Sequence, residues 1–191
     1  MTRAQYIAII ERRRAKYIAP ARAEFKRALN ANLAELMVKI HAAQNAGDML
    51  RAADTPVDTV QMQIAITKVY SKVGADFARA TIKQVNTKKS VNIELDYWLE
   101  YFKSYAAAKA AKKIVWITGT TEEVFKRTVN RIVEEAGASG QSVANMARQI
   151  QSELSFSNRY RAERIARTEV MGASNAGSLE GAKNAGIALR K

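Results

Sequence analysis

Apolar positions return every three or four residues along most of the chain, which is the period of one face of an α-helix. Leu29, Leu33, Leu36 and Ile40 form one such stripe; Met62, Ile66, Val69, Val73 and Phe77 form a second. Both predict core-facing helices. A first helix is predicted over residues 3–19, with Tyr6, Ile10 and Tyr17 on one side, stopped or kinked at Pro20. Helix resumes over 21–46 and breaks at Gly47-Asp48, and Asp54-Thr55-Pro56 reads as the next helix start, with a capping side chain and proline in the first turn. Two long helices joined by a short link predict an antiparallel hairpin.

Residues 86–92 are polar and read as a loop. Over 94–113 a further helix is predicted, with Tyr97, Trp98, Tyr101, Phe102 and Tyr105 on its first half as the thickest part of the core rather than a stacking platform. Ile114-Val-Trp-Ile117 fits a strand as well as a helix end, because short apolar runs are not resolved by periodicity. Gly119 closes that segment. Thr120-Thr-Glu-Glu has the spacing of a capping box opening a helix with Val124, Thr128, Ile132 and Val133. After a turn at 137–140, Ser142 caps a short helix buried through Met146, Ile150 and Leu154; Ser157-Asn158 caps a last long helix ending near Gly186. The expected fold is all-α (mainly α): a basic helical hairpin over 1–90, then a compact helical module over 91–191 with room for a minor β element. The boundary, near 87–91, is soft.

Charge changes the picture more than composition does. The 191 residues carry a formal net charge of +13, with eight Lys/Arg against two Glu in residues 1–27. Such a surface attracts polyanions with salt-sensitive, sequence-independent affinity, and nucleic acid is the commonest cellular polyanion. An anionic membrane or an acidic protein face answers the same field. Arg12, Arg13, Arg14 and Lys16 are candidate DNA- or partner-binding residues on the first helix, set against the plainer reading of a solvated amphipathic helix with a tyrosine seam.

Other chemistry is sparse. There is no cysteine, and His41 is the only histidine, so neither a thiolate site nor a transition-metal site is expected. No phosphate-binding glycine loop, zinc-protease motif or nucleophile elbow is present. No cofactor is expected, and the chain is read as non-enzymatic. No apolar run approaches the roughly 20 residues of a membrane span, and Met1–Ile10 lacks the form of a secretory signal. A chain that is neither membrane-embedded nor exported by the usual route is expected.

The last helix carries the most distinctive pattern. At about 100° per residue, Ala162, Ile165, Ala166, Ala173 and Ala176 share a narrow face of small apolar residues with Glu169 in its middle. Arg161, Arg164, Thr168 and Asn175 lie opposite, flanked by Arg167 and Ser174. Small residues let another helix approach closely, so Glu169 is expected at least partly buried and in need of a partner. An ion pair fixing helix register is favoured for it over a catalytic or ligand carboxylate, since no second carboxylate, histidine or nucleophile stands at a catalytic spacing. Arg161, Arg164 and Arg167 are candidate clamps for phosphate or for an acidic partner.

The segment Ile165-Ala-Arg-Thr-Glu169, followed by Ala173, Asn175 and Ala176-Gly177, resembles the hallmark of the phage Mu F-like family of minor head, or head morphogenesis, proteins of tailed phages. Gly140-Gln-Ser-Val-Ala-Asn-Met-Ala-Arg-Gln-Ile150 is similar to the family's upstream helix, and the likeness spans roughly 118–187. Thr168, Glu169 and Asn175 fall on its motif positions. The resemblance implies a virion protein of modest copy number at the portal vertex, present in the host cytoplasm during assembly. It also implies a role in head assembly and in the fate of packaged DNA. Implied partners are portal or capsid protein, further copies of the chain and non-specific double-stranded DNA, with no membrane. Family members often continue with a Trp and an Asp-x-Arg-x-x-x-His-like segment, which would begin where this sequence ends. Two other readings stand beside it: an unrelated basic helical DNA-binding or scaffolding protein, and a fragment of a nuclease or transferase with Glu169 catalytic.

Overall fold

A computed structural model describes residues 2–85 and 95–187. The fold is all-α. Five helices follow in order: α1 (Arg3–Ala42), α2 (Ala46–Ala53), α3 (Val60–Val85), α4 (Leu95–Ser139) and α5 (Val143–Asn184). No strand occurs among the described residues, so Ile114–Ile117 is helical and the minor β element is not found. None of these helices is long and apolar enough to cross a membrane. The polar stretch 86–92 and the soft boundary at 87–91 lie outside the described residues, apart from which α4 begins at Leu95.

The helices are fewer and longer than local signals predict. α1 runs through Pro20 without stopping. α4 passes through Gly119 and the Thr120–Glu123 box, and α5 passes through Ser157-Asn158. An N-cap contributes about 1 kcal/mol, less than the packing of one large side chain, so burial on either side carries the helix across. Thr118, Thr120 and Thr121 turn their hydroxyls back to carbonyls of the preceding turn, at Ile114 and Ile117, instead of capping. Asp54 terminates α2 and does not begin α3. Cap signals that do operate include Asn45, which accepts from the Asp48 N–H at 2.9 Å, Asp58, which accepts from Val60, and Ser142, which accepts from Asn145. Gly140 (φ +67°) ends α4 by letting Gln141 N–H reach back to the Ala136 carbonyl.

The chain divides into two compact units, each drawing on both halves of the sequence. In the first (1–25, 63–111, 163–191), four helical segments pack. Arg13 meets Asp76 and Glu24 meets Lys68, so α1 and α3 run antiparallel there. The α3–α4 pair is also antiparallel, Gly74 lying against Phe102 and Tyr70 against Tyr105. By contrast α5 lies parallel to α3, with Gly177 on Gly74 and Gly181 on Ala78. Trp98 and Phe102, both fully buried, fill the core with Ala75, Ala78, Ile82 and Ala176. Removing each large side chain from water contributes about 1.5–3 kcal/mol. Tyr97, by contrast, is exposed.

The second unit (26–62, 112–162) is organised by the stripes at Leu33, Leu36 and Ile40 and at Met146, Ile150 and Leu154. Phe125, Val129 and Ile132 of α4 and Met49 of α2 complete its core. α4 and α5 form an antiparallel pair here, joined by ion pairing of Arg131 with Glu153. Glu122 reaches the Val57 N–H at 2.8 Å and Lys126 the Asp54 carboxylate at 3.2 Å, holding the α2–α3 connection against α4.

Candidate nucleic-acid interface

A cleft between α1 and α3 of the first unit brings cations of both helices together. At its floor Arg13 forks onto Asp76, Nε to Oδ2 at 2.6 Å and an NH2 nitrogen to Oδ1 at 2.5 Å, with a further bond to the Asp76 carbonyl at 3.2 Å. Its guanidinium also lies 5.5 Å over the Phe77 ring. Partial burial acts to raise the Asp76 pKa, but hydrogen bonds from Arg13 and Tyr17 and the charges of Arg13 and Arg79 outweigh it and hold the carboxyl below its ordinary value. The hydrogen bond to Asp76 raises the Arg13 pKa in turn. Burial, then the bond to Asp76, pushes the Tyr17 hydroxyl up to about 12. Asp76 is therefore an ionised, fully engaged anchor.

Around this floor stand exposed cations on both walls. Arg12 and Lys16 project from α1; Lys72, Arg79 and Lys83 project from α3. Hollows of about 440 Å³ (Ile9, Arg12, Arg13, Lys16, Tyr17, Asp76) and about 330 Å³ (Arg13, Asp76, Arg79, Ala80, Lys83, Gln84) share the Arg13–Asp76 floor. A third, smaller hollow extends the cleft from Tyr17 past Pro20 to Lys72. None of the five exposed cations forms a salt bridge among the described residues, whereas Lys68 and Lys183 do, with Glu24 and Glu180. Lys72, Arg79 and Lys83 were not singled out from sequence. Their signal was there, as a 4-3-4 spacing of Lys72, Asp76, Arg79 and Lys83 along one flank of the apolar stripe of α3.

The other residues singled out from sequence separate into committed and accessible groups. Arg14 is committed: Nε donates to Ser174 Oγ at 2.7 Å, and the two NH nitrogens to Glu11 at 2.6 Å and Asn175 Oδ1 at 2.5 Å. It ties α1 to the α5 motif. Arg161 is turned inward in the second unit, donating to Thr121 Oγ1 at 2.8 Å and Thr120 Oγ1 at 3.2 Å. Arg13, Arg14 and Arg161 are thus structural ties, not free clamps. Arg167 pairs with Glu163, which Arg22 also approaches, and Arg164 is exposed. Thr168 is exposed and donates to the Arg164 carbonyl.

Glu169 is buried at 4% exposure, with Ala162, Ala166 and Ala173 fully buried along the same face. The Tyr70 hydroxyl donates to it at 3.1 Å, a donor type not anticipated from sequence. His41 is exposed, and no group of three or more His, Cys, Asp or Glu residues able to hold a metal occurs among the described residues. Compared with family models, curated proteins and solved structures, the chain matches none.

Proposed function

We propose that the chain is a non-enzymatic minor head protein of a tailed phage, acting at the portal vertex in head assembly and in handling packaged DNA. It would dock on portal or capsid protein in several copies, in the host cytoplasm during assembly and then in the virion head. The observation that carries this reading is the segment Ile165–Gly177. Several of its characteristic residues have a packing use: Ala166 and Ala173 are buried, Glu169 receives Tyr70, Asn175 receives Arg14, and Gly177 admits the α3 backbone. A pattern fixed by so many mutual contacts marks a module and not a chance run, and this module resembles that of the head proteins. The cleft cations supply the DNA-handling part.

The second reading, a basic helical DNA-binding or scaffolding protein unrelated to phage heads, is favoured by the cleft alone, which needs no head partner. The nuclease or transferase reading has the least support, since Glu169 lies in a packing seam where no substrate reaches it. Sedimentation of lysates from phage-producing cells, followed with an antibody to the chain, separates the first two. Co-migration with proheads is expected; a chain found only at the top of the gradient would contradict the head assignment.

A further inference from the structure

We propose that the α1–α3 cleft binds the phosphate backbone of duplex nucleic acid, with Arg12, Lys16, Lys72, Arg79 and Lys83 as its contacts and the Arg13–Asp76 pair as its rigid floor. This deepens the DNA-handling part of the function proposed above and rests on it only for the source of the duplex.

Like charges one helical turn apart repel and weaken the fold. Arg12 and Lys16 are such a pair, and Arg79 and Lys83 another, on the walls of one cleft, and none of the four forms a salt bridge among the described residues. The carboxylates between the walls are already engaged: Asp76 is forked by Arg13 and bonded by Tyr17, and Glu24, beside Lys72, pairs with Lys68 at 3.2 Å. The cleft therefore presents unbalanced charge that an external polyanion would neutralise. From Lys72 to Lys83 is eleven residues, about 16 Å along α3. A duplex offers one charge per roughly 1.7 Å of axis, so several phosphates fall within that span.

The cleft has no means of reading bases. Tyr17 is held by Asp76, and Phe77 is buried beneath the Arg13 guanidinium. Without a free aromatic to stack on, a single strand gains nothing over a duplex, whose charge density is higher. Sequence-independent duplex binding follows. Anionic membrane fits less well, because the cations line a concave cleft with an ion pair at its base instead of surrounding an apolar face that could insert.

The test uses the full chain and a fluorescent 40-base-pair duplex of arbitrary sequence, read by anisotropy across a KCl series. Five phosphate contacts predict a log–log salt slope of about −4.5. Arg79→Gln/Lys83→Gln should weaken binding at least about tenfold and make the slope shallower by about 1.8, the share of two phosphates. Lys109→Gln/Lys112→Gln removes the same charge at exposed α4 positions outside the cleft and should leave the slope unchanged. Circular dichroism of each variant excludes unfolding. The proposal is overturned by equal losses in both variants, by the absence of duplex binding, or by cleft-dependent binding to phosphatidylglycerol vesicles with none to duplex. Because prohead co-sedimentation is scored separately, a wild-type chain that binds no duplex yet migrates with proheads overturns the cleft and leaves the head assignment standing.

Discussion

Gly177 shows how tightly single residues constrain the first unit. A Cβ there would sit 2.3 Å from the Gly74 carbonyl oxygen and 2.9 Å from Phe77 Cβ, so α3 and α5 could not keep their spacing. Gly177→Ala should cost about 1–3 kcal/mol by overpacking and lower Tm by several degrees in a thermal melt. An unchanged Tm would mean the two helices are not in backbone contact. Asp76 gives a pH-dependent test. Its pKa is below the ordinary carboxylate value of about 3.9, so its stabilisation is present above that value and is lost as pH falls through the folded-state pKa. Asp76→Asn should therefore melt below wild type at pH 7, and the gap should close in acid. A gap constant with pH would show that the Arg13 pairing does not depend on the charge. At this scale the burial of Glu169 among alanines was legible, because it follows from helical period alone. Its neighbour Tyr70 was not, being 99 residues away in sequence. The run Arg12-Arg13-Arg14 was legible as charge but not as function. Three consecutive residues point about 100° apart: one to solvent, one to α3 and one to α5. Neutralising all three would unpin the unit as well as discharge it, so DNA affinity is better tested at the cleft's exposed cations.

The elements divide between stripes that were readable and ends that were not. Every residue of the stripes at Leu29–Ile40 and Met62–Phe77 is buried, because a stripe sums many side chains over several turns. Helix ends rest on one or two residues and about a kilocalorie per mole, which packing elsewhere outweighs. Gly119 and the Thr120 box looked like a helix end and a helix start, yet Ile117, Thr121 and Phe125 are all buried on one continuous helix. Gly119→Ala tests this continuity. A Cβ at Gly119 meets nothing within 4 Å, so a continuous helix should gain up to about 1 kcal/mol from the better helix former. A chain break at Gly119 with positive φ would instead make the substitution destabilising. Thermal melts of Gly119→Ala and Gly177→Ala should thus move in opposite directions.

For the whole molecule, charge was legible as an amount and not as a place. A net +13 predicted a polyanion partner, with candidate contacts on the first helix and on the last and none on α3. The folded chain sets two cations of α1 against three of α3, an arrangement that depends on a pairing some sixty residues apart in sequence. The most direct measurement of this central claim is acetylation footprinting of the unmodified chain, with and without a 40-base-pair duplex at low salt. Lys16, Lys72 and Lys83 should become protected on binding, while Lys103, Lys109 and Lys112 react at unchanged rates. Uniform protection of all six, or protection confined to the last three, would contradict a phosphate-binding cleft between α1 and α3.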